Sequence, residues 1–419
     1  MDSSQPMDPS QAIDQSQPID VERQRQAREY ARIQRPLILV ELGIGLAYLA
    51  LLLADGISVW LRDQVLALGL STFLAAAIFI AIVGAVYGLL TFPIGYYGGH
   101  LLPRRYGLSV QTTGAWLLDW LKAALIGGAL TLLLGEVVYA LLIVLPGFWW
   151  LAMAVVMLVF SVVLAQLAPV LLLPLFYKLT PVESALAERL RRLAERAGAQ
   201  VRGVYSMNMS AKTTAANAAL TGLGRTRRII LGDTLLDRYP AAEIEVIFAH
   251  ELGHHVHGDI AKSVAVSSAT SLVGLYLVDL FLRWGVGALG FRSIADLAAL
   301  PLLVLGLGAY GLVTMPLGNG YSRRAESAAD DYALATTNDP TAFAAAMRRL
   351  ASQNLAELNP PRWVELMLHD HPALGRRIAR AEAFARARAE PAPTASSGAI
   401  GLDNRSRSSE SDDHGKKNG

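Results

Sequence analysis

The chain has 419 residues, 53% hydrophobic and 17% charged, with a mean hydropathy of +0.37, which excludes an ordinary soluble domain and predicts several membrane spans. A formal net charge of +2 offers nothing to a polyanion, so no nucleic-acid partner is expected. Cysteine is absent, which excludes disulfides and thiolate metal sites, so any metal must be held by His, Asp or Glu.

In chain order, the first stretch is a polar repeat, Ser4-Gln5-Pro6-Met7-Asp8, Ser10-Gln11-Ala12-Ile13-Asp14 and Ser16-Gln17-Pro18-Ile19-Asp20. It has no apolar h-region and reads as disordered rather than as a signal peptide. Arg23, Arg25, Arg28, Arg32 and Arg35 follow directly before the first apolar run, as the positive-inside rule expects of a cytoplasmic flank. Six apolar segments can each cross about 30 Å of hydrocarbon at 1.5 Å per residue: 37–54, 67–92, 123–145, 149–176, 260–284 and 297–317. From a cytoplasmic start, four crossings return the chain to the cytoplasm at Tyr177-Lys178. The last two form a hairpin that delivers the residues after Leu317 to the same side. Arg104 and Arg105 agree with this orientation, whereas Arg62 and Arg292 oppose it.

Three acids lie within these segments, Glu41, Glu136 and Asp279. A charge at membrane depth costs a few kcal/mol, so such groups face either a structural partner, Lys122 for one of them, or a wet cavity. After the fourth span, 181–197 carries apolar residues at helical spacing and reads as an amphipathic helix. Short strands are expected at 203–207 and 228–231, with Asn217-Ala218-Ala219-Leu220-Thr221-Gly222 between them.

The densest chemical signal comes next: Phe248-Ala249-His250-Glu251-Leu252-Gly253-His254, a His-Glu-x-x-His pattern in a helical run. Residues i and i+4 share a helix face, so both imidazoles can reach one ion with Glu251 at its edge. Zn²⁺ takes neutral imidazole nitrogen, and a catalytic site supplies three protein ligands and leaves a position for water, whose pKa falls to about 7. A neighbouring carboxylate can then act as general base. Two histidines need a third ligand. The metzincin pattern requires a His where Ile260 stands, and so is excluded. His257, three residues after His254, can approach the metal. The better candidate is Glu326 in Tyr321-Ser322-Arg323-Arg324-Ala325-Glu326, on the same membrane side as His250. Asp330, one turn further, can accept a hydrogen bond from the far nitrogen of a ligating His.

With these residues in place the sequence resembles the CAAX prenyl protease type 1 family, the a-factor-converting integral-membrane zinc metalloendopeptidases, and their HtpX-like relatives. The resemblance runs from about residue 37 to 384. It rests on Arg105-Tyr106-Gly107-Leu108-Ser109-Val110-Gln111-Thr112, Ala168-Pro169 with Leu175-Phe176-Tyr177-Lys178-Leu179-Thr180-Pro181, and Asn217-Ala218 with Gly222. It also rests on Asp233-Thr234-Leu235-Leu236, His250 to His254, Ser322-Arg323 with Glu326 and Asp330, and His371-Pro372 with Leu374 and Arg377. The resemblance implies a ring of membrane helices around a water-filled chamber. It implies zinc on His250, His254 and Glu326, with Glu251 as general base and Asp330 supporting the ligands. Asn217 and Ala218 would lie on an edge strand that pairs with the substrate backbone, His371 would stabilise the tetrahedral intermediate, and Arg377 would order the substrate-binding region. Prenyl-processing members usually have seven spans, and the most N-terminal has no counterpart here.

The expected fold is mainly α, a polytopic membrane protein of about six transmembrane helices with a gluzincin-type zinc protease domain carrying a small β-sheet. Its divisions are 1–35, a disordered basic segment; 36–177, four spans; 178–259, the first catalytic part; 260–318, the hairpin; 319–389, the second catalytic part; and 390–419, a disordered tail. The expected function is zinc-dependent endopeptidase activity, with one Zn²⁺ per chain, on a peptide or protein substrate that is lipidated or membrane-associated. The active site would face the cytoplasm of the cell membrane. Removal of a C-terminal tripeptide from a prenylated CAAX protein and HtpX-like quality control are the two substrate readings. A non-enzymatic metal-binding or transport protein is the reading from another class.

Overall fold

The computed structural model describes residues 19–222 and 227–389. The polar repeat up to residue 18 and the tail from 390 lie outside the described residues.

Helix α1, Val21–Ala54, begins where the Asp20 carboxylate accepts the Arg23 N–H at 2.9 Å, with Glu22 near the positive end of the helix dipole. The segment 21–35, expected to be disordered, is therefore helix. It is capped locally, and Gln24 and Ala27 are buried against the rest of the protein. A short helix, α2 (Ile57–Ala67), leads to α3 (Thr72–Tyr96), which continues through a π-turn at Tyr97–Leu101 to Arg105. Next come α4 (Thr113–Val144) and α5 (Trp149–Leu167), the latter continuing through Ala168–Leu172 to Phe176.

Among the described residues, six helices are long and apolar enough to span a membrane, at the positions expected from the sequence: four before the metal motif and two after it. None of the most apolar stretch of Trp149–Phe176 is buried, and only 6% of that of Val21–Ala54. The faces of these two helices are therefore left uncovered by the rest of the described protein.

The end of the spans remote from the metal motif is closed by polar ties. Arg62 donates to Asp296 at 2.7 Å, and both are buried. Asp279 accepts from Trp149 Nε1 at 2.6 Å and from Arg283 Nε at 2.9 Å, so this intramembrane acid has structural partners. Lys122 does not pair with the intramembrane acids; it lies 3.6 Å from Asp119. Both carboxylate oxygens of Glu136 are buried without a hydrogen-bond partner.

The polar part of the chain begins with β1, Leu179–Pro181, a strand not anticipated from the sequence, followed by α6, Ala185–Arg196, capped by Ser184. Strands β2 (Val204–Met207), β3 (Ala218–Thr221) and β4 (Arg228–Gly232) complete a sheet of order β1-β2-β4-β3. β2 runs parallel to β4, and β3 pairs antiparallel with β4, Leu220 opposite Ile229. β3 is thus an edge strand. The loop between α3 and α4 is tied to its approach: Thr213 and Thr214 hydroxyls donate to the Leu108 and Gly107 carbonyls at 2.8 and 2.9 Å.

Helix α7, Ala241–His257, is the centre of the core. Ile244, Phe248 and Leu252 are fully buried beside Leu190, Ile229 and Phe343, each contributing about 1.5–3 kcal/mol. It stops at Gly258, whose φ of +67° L side chains rarely adopt, and the chain turns into α8, Asp259–Leu289. Helix α9, Leu300–Thr337, carries the last span and runs on unbroken through Glu326 and Asp330. Helices α10 (Pro340–Gln353), α11 (Arg362–Leu368) and α12 (Leu374–Ala389) finish the described chain.

Helix α1 returns to this core. The Gln24 amide donates to the Ala356 carbonyl at 3.0 Å and its oxygen accepts from the Leu358 N–H at 3.0 Å, while Arg35 forms an ion pair with Glu357. The same loop pins the edge strand, because Asn354 bonds both the N–H and the carbonyl of Ala216.

Candidate metal centre

One turn of α7 presents His250 and His254, and a neighbouring turn of α9 presents Glu326. The two helices approach so closely that a Cβ on Gly253 would lie 2.8 Å from the Ala329 Cα. Only glycine fits there, and the short carboxylate of Glu326 can then reach both histidines.

The geometry is convergent. His250 Nε2 lies 3.1 Å from Glu326 Oε2, and His254 Nε2 lies 3.3 Å from Oε1. A tetrahedral zinc with bonds of about 2.1 Å would space its ligands by about 3.4 Å. One donor atom from each residue lies within 4.8 Å of the others. Glu326 Oε2 is buried and makes no hydrogen bond of acceptable geometry despite the nearby ring. A buried carboxylate with one orphaned oxygen and an imidazole nitrogen beside each of its two oxygens fits a divalent cation, and the all-N/O donor set suits zinc.

The far nitrogens are held. His250 Nδ1 lies 2.9 Å from Asp330, and His254 Nδ1 lies 2.8 Å from Asp259. A proton on each Nδ1 satisfies these carboxylates and leaves each Nε2 free for metal. Asp330, 1% exposed, is gripped by Arg377 through Nε at 2.9 Å and Nη2 at 2.6 Å. Arg377 Nη2 also lies 3.2 Å from His250 Nδ1, but two donors cannot share that contact, so Asp330 is its partner there. Arg377 thus orders the ligand support, and it also borders the cavity described below.

Asp259 is the site residue that the sequence reading lacks. The signal available was Gly258-Asp259 closing the histidine helix, since a left-handed glycine there folds the next residue back beside His254. His257 does not join the cluster; its ring packs edge-on to Tyr332 at 6.1 Å.

Burial opposes charge on His254, but the carboxylates of Glu326 and Asp259 outweigh it and raise its pKa to about 9. His250 is likewise raised, burial being outweighed by Asp330 and Glu326. Glu251 is raised by burial, partly offset by the neighbouring histidines and by the Leu220 N–H. His371 places Nε2 3.1 Å from Glu326 Oε1 and Nδ1 2.8 Å from Asp370, and Glu326 above all raises its pKa to about 9.

A cavity of about 750 Å³ opens onto these groups. His250, Glu251, His371 and Arg377 border it with Asn217 and Ala218, and α1 supplies the opposite wall through Tyr30, Gln34 and Ile38. Asn217 Oδ1 accepts the Ala218 N–H at 2.9 Å, and the Asn217 carbonyl accepts from Gly232. Alternation along an antiparallel strand therefore turns the main-chain groups of Ala218 and Leu220 away from β4, toward Glu251. Apart from His257, the site residues expected from the sequence lie around this cavity or directly behind it, the latter being His254, Glu326 and Asp330.

Residues 182–385 match peptidase family M48, and residues 9–178 match the CAAX prenyl protease N-terminal domain of five membrane helices. Four of the helices long enough to span lie in the described part of the latter region. The chain is 30% identical to an uncharacterized metalloprotease of Bacillus subtilis, YhfN, over 85% of this chain and 84% of that one. It is 28% identical to a probable CAAX prenyl protease 1 of Schizosaccharomyces pombe over 69% of this chain and 62% of that one. The crystal structure of S. mikatae Ste24p shares the fold, with a TM-score of 0.75 at 22% identity over 88% of this chain and 92% of that one.

Proposed function

The chain belongs to peptidase family M48 and is an integral, multi-pass membrane metalloprotease, and from that premise we propose that it is a zinc endopeptidase. In this reading His250, His254 and Glu326 hold one Zn²⁺ per chain and Glu251 is the general base. The observation that supports it most is the convergence of two imidazole Nε2 atoms on the two oxygens of the buried Glu326 carboxylate, one of which, Oε2, has no hydrogen-bond partner among the described residues.

When bound, zinc supplies a Lewis acid that polarises the scissile carbonyl and makes water acidic near neutral pH. Glu251 takes the proton of the attacking water and returns it to the leaving amine nitrogen as the C–N bond breaks, adding one water across the peptide. Its raised pKa suits both transfers. His371, whose Nδ1 is held by Asp370 at 2.8 Å, donates from Nε2 to the developing oxyanion. The outward groups of β3 at Ala218 pair with an extended substrate, with Asn217 at the start of that edge. Asp330 and Asp259 keep the ligand rings in register, and Arg377 fixes Asp330.

The substrate is a peptide or protein. Carboxy-terminal processing of a prenylated CAAX protein is the specific reaction that the name of the fission-yeast relative suggests. The arginine cluster before the first span supports a centre on the cytoplasmic side of the cell membrane. Cleavage-site mapping on purified protein with a farnesylated CAAX peptide and its unprenylated twin, with and without a zinc chelator, tests this. Chelator-sensitive cleavage at one position, at least tenfold faster for the farnesylated peptide, is expected. Equal rates would replace CAAX processing by general cleavage of membrane-associated peptides, and no chelator-sensitive cleavage of either would contradict the endopeptidase reading.

A further inference from the structure

Helix α11 carries an apolar face that nothing in the protein covers. Trp363, Leu366 and Met367 are 59%, 42% and 41% exposed, and at 100° per residue they fall on one side of the helix. Val364 and Glu365 on the other side are buried, and Leu368 borders the active-site cavity. The exposed face therefore points away from the cavity, and a substrate bound there would leave it bare.

Its position is fixed relative to the membrane. Asn319, two residues beyond the apolar run that ends at Leu317, donates to the Met367 carbonyl at 2.6 Å. Arg323, one turn on, donates to the Glu365 and His369 carbonyls at 2.9 and 2.6 Å, which caps the C-terminal end of α11. The face is thus held level with the end of the last span, where Leu317 is 74% exposed. Basic groups rim it. Arg362 is exposed at the first position of α11, where the helix dipole disfavours a cation, and exposed Arg324, adjacent in sequence to the Arg323 that caps α11, borders a hollow with Arg376, Arg380 and Asp331. Neither Arg324 nor Arg362 makes an ion pair among the described residues.

We propose that α11 is an interfacial helix seated in the bilayer, with Trp363, Leu366 and Met367 at the headgroup–acyl boundary and Arg324 and Arg362 on anionic headgroups. Tryptophan over an apolar face with arginine at its edge is the composition that binds in the plane of a membrane surface. The helix ends three residues before His371, so the bilayer itself becomes part of the frame that positions that histidine.

The absence of cysteine makes the test direct. Trp363→Cys, Leu366→Cys and Met367→Cys are made one at a time in the full chain, spin-labelled and reconstituted in vesicles of phosphatidylcholine with phosphatidylglycerol. Collision of each label with oxygen, which partitions into hydrocarbon, is compared with collision with a water-soluble nickel chelate. Arg192→Cys on exposed α6 is the aqueous reference. The proposal expects oxygen to dominate at all three positions and the nickel chelate at the reference. It also expects the oxygen-to-nickel ratio to fall at least twofold when phosphatidylglycerol is omitted. Dominance of the nickel chelate at the three positions would overturn the seating, as would low collision with both reagents, the mark of a protein partner over this face. A ratio indifferent to phosphatidylglycerol would overturn the role given to the two arginines.

Discussion

His254 meets Asp259 only because the chain reverses at Gly258, and His250 meets Asp330 only because α9 lies against α7. These two carboxylates do the same work on different ligands, and removing either frees an imidazole to turn. Asp259→Ala is therefore expected to weaken zinc affinity by about 10–100-fold, with the fold intact by circular dichroism. A competitive chelator titration reads it, and wild-type affinity would remove Asp259 from the site. The metal-free centre also holds protons that metal must displace, since carboxylates raise the His254 pKa to about 9. Below that pH the metal competes with a proton on the ring, so apparent affinity should rise with pH up to about 9 and then level off, with proton release on binding measurable by calorimetry. The pairing of His250 with His254 was legible in the sequence because four residues on a helix is a local rule. Asp259 was not, because its contact depends on a backbone reversal that residue spacing does not reveal.

Between elements, the decisive feature is the meeting of α7 and α9 at Gly253 and Ala329. A methyl group at 253 cannot be accommodated by rotating a side chain, because it would strike backbone. Gly253→Ala should push the helices apart, separate Glu326 from the histidines and lower metal content well below one per chain, read by elemental analysis of protein that still folds. Full occupancy would show that the close approach is dispensable. The sequence signals the helices and spans well, since apolar runs and capping residues are periodic or adjacent. It misses β1, three residues long, and the helical state of 21–35, whose burial comes from a loop more than 300 residues away. It also divides the chain at 318, between hairpin and second catalytic part, whereas α9 carries the last span and Glu326 on one rod. The second wall of the cavity, from α1, depends on the Gln24 contacts. Gln24→Ala should raise KM several-fold while leaving zinc content unchanged, and an unchanged KM would show that the wall takes no part in binding.

Across the described residues, six helices long and apolar enough to span and a metalloprotease fold are joined by α1, by the loop between α3 and α4, and by the continuous α9. A metal centre built from residues on both sides of a membrane hairpin requires His254 and Glu326 to share one face of the bilayer, and α7 and α9 meet there. The most direct measurement pairs metal analysis with peptide cleavage for Glu251→Gln in reconstituted vesicles. Glu251 lies beside the donors but is not one of them, so about one zinc per chain should remain while cleavage falls by at least a thousandfold. Cleavage near the wild-type rate with zinc retained would contradict the account.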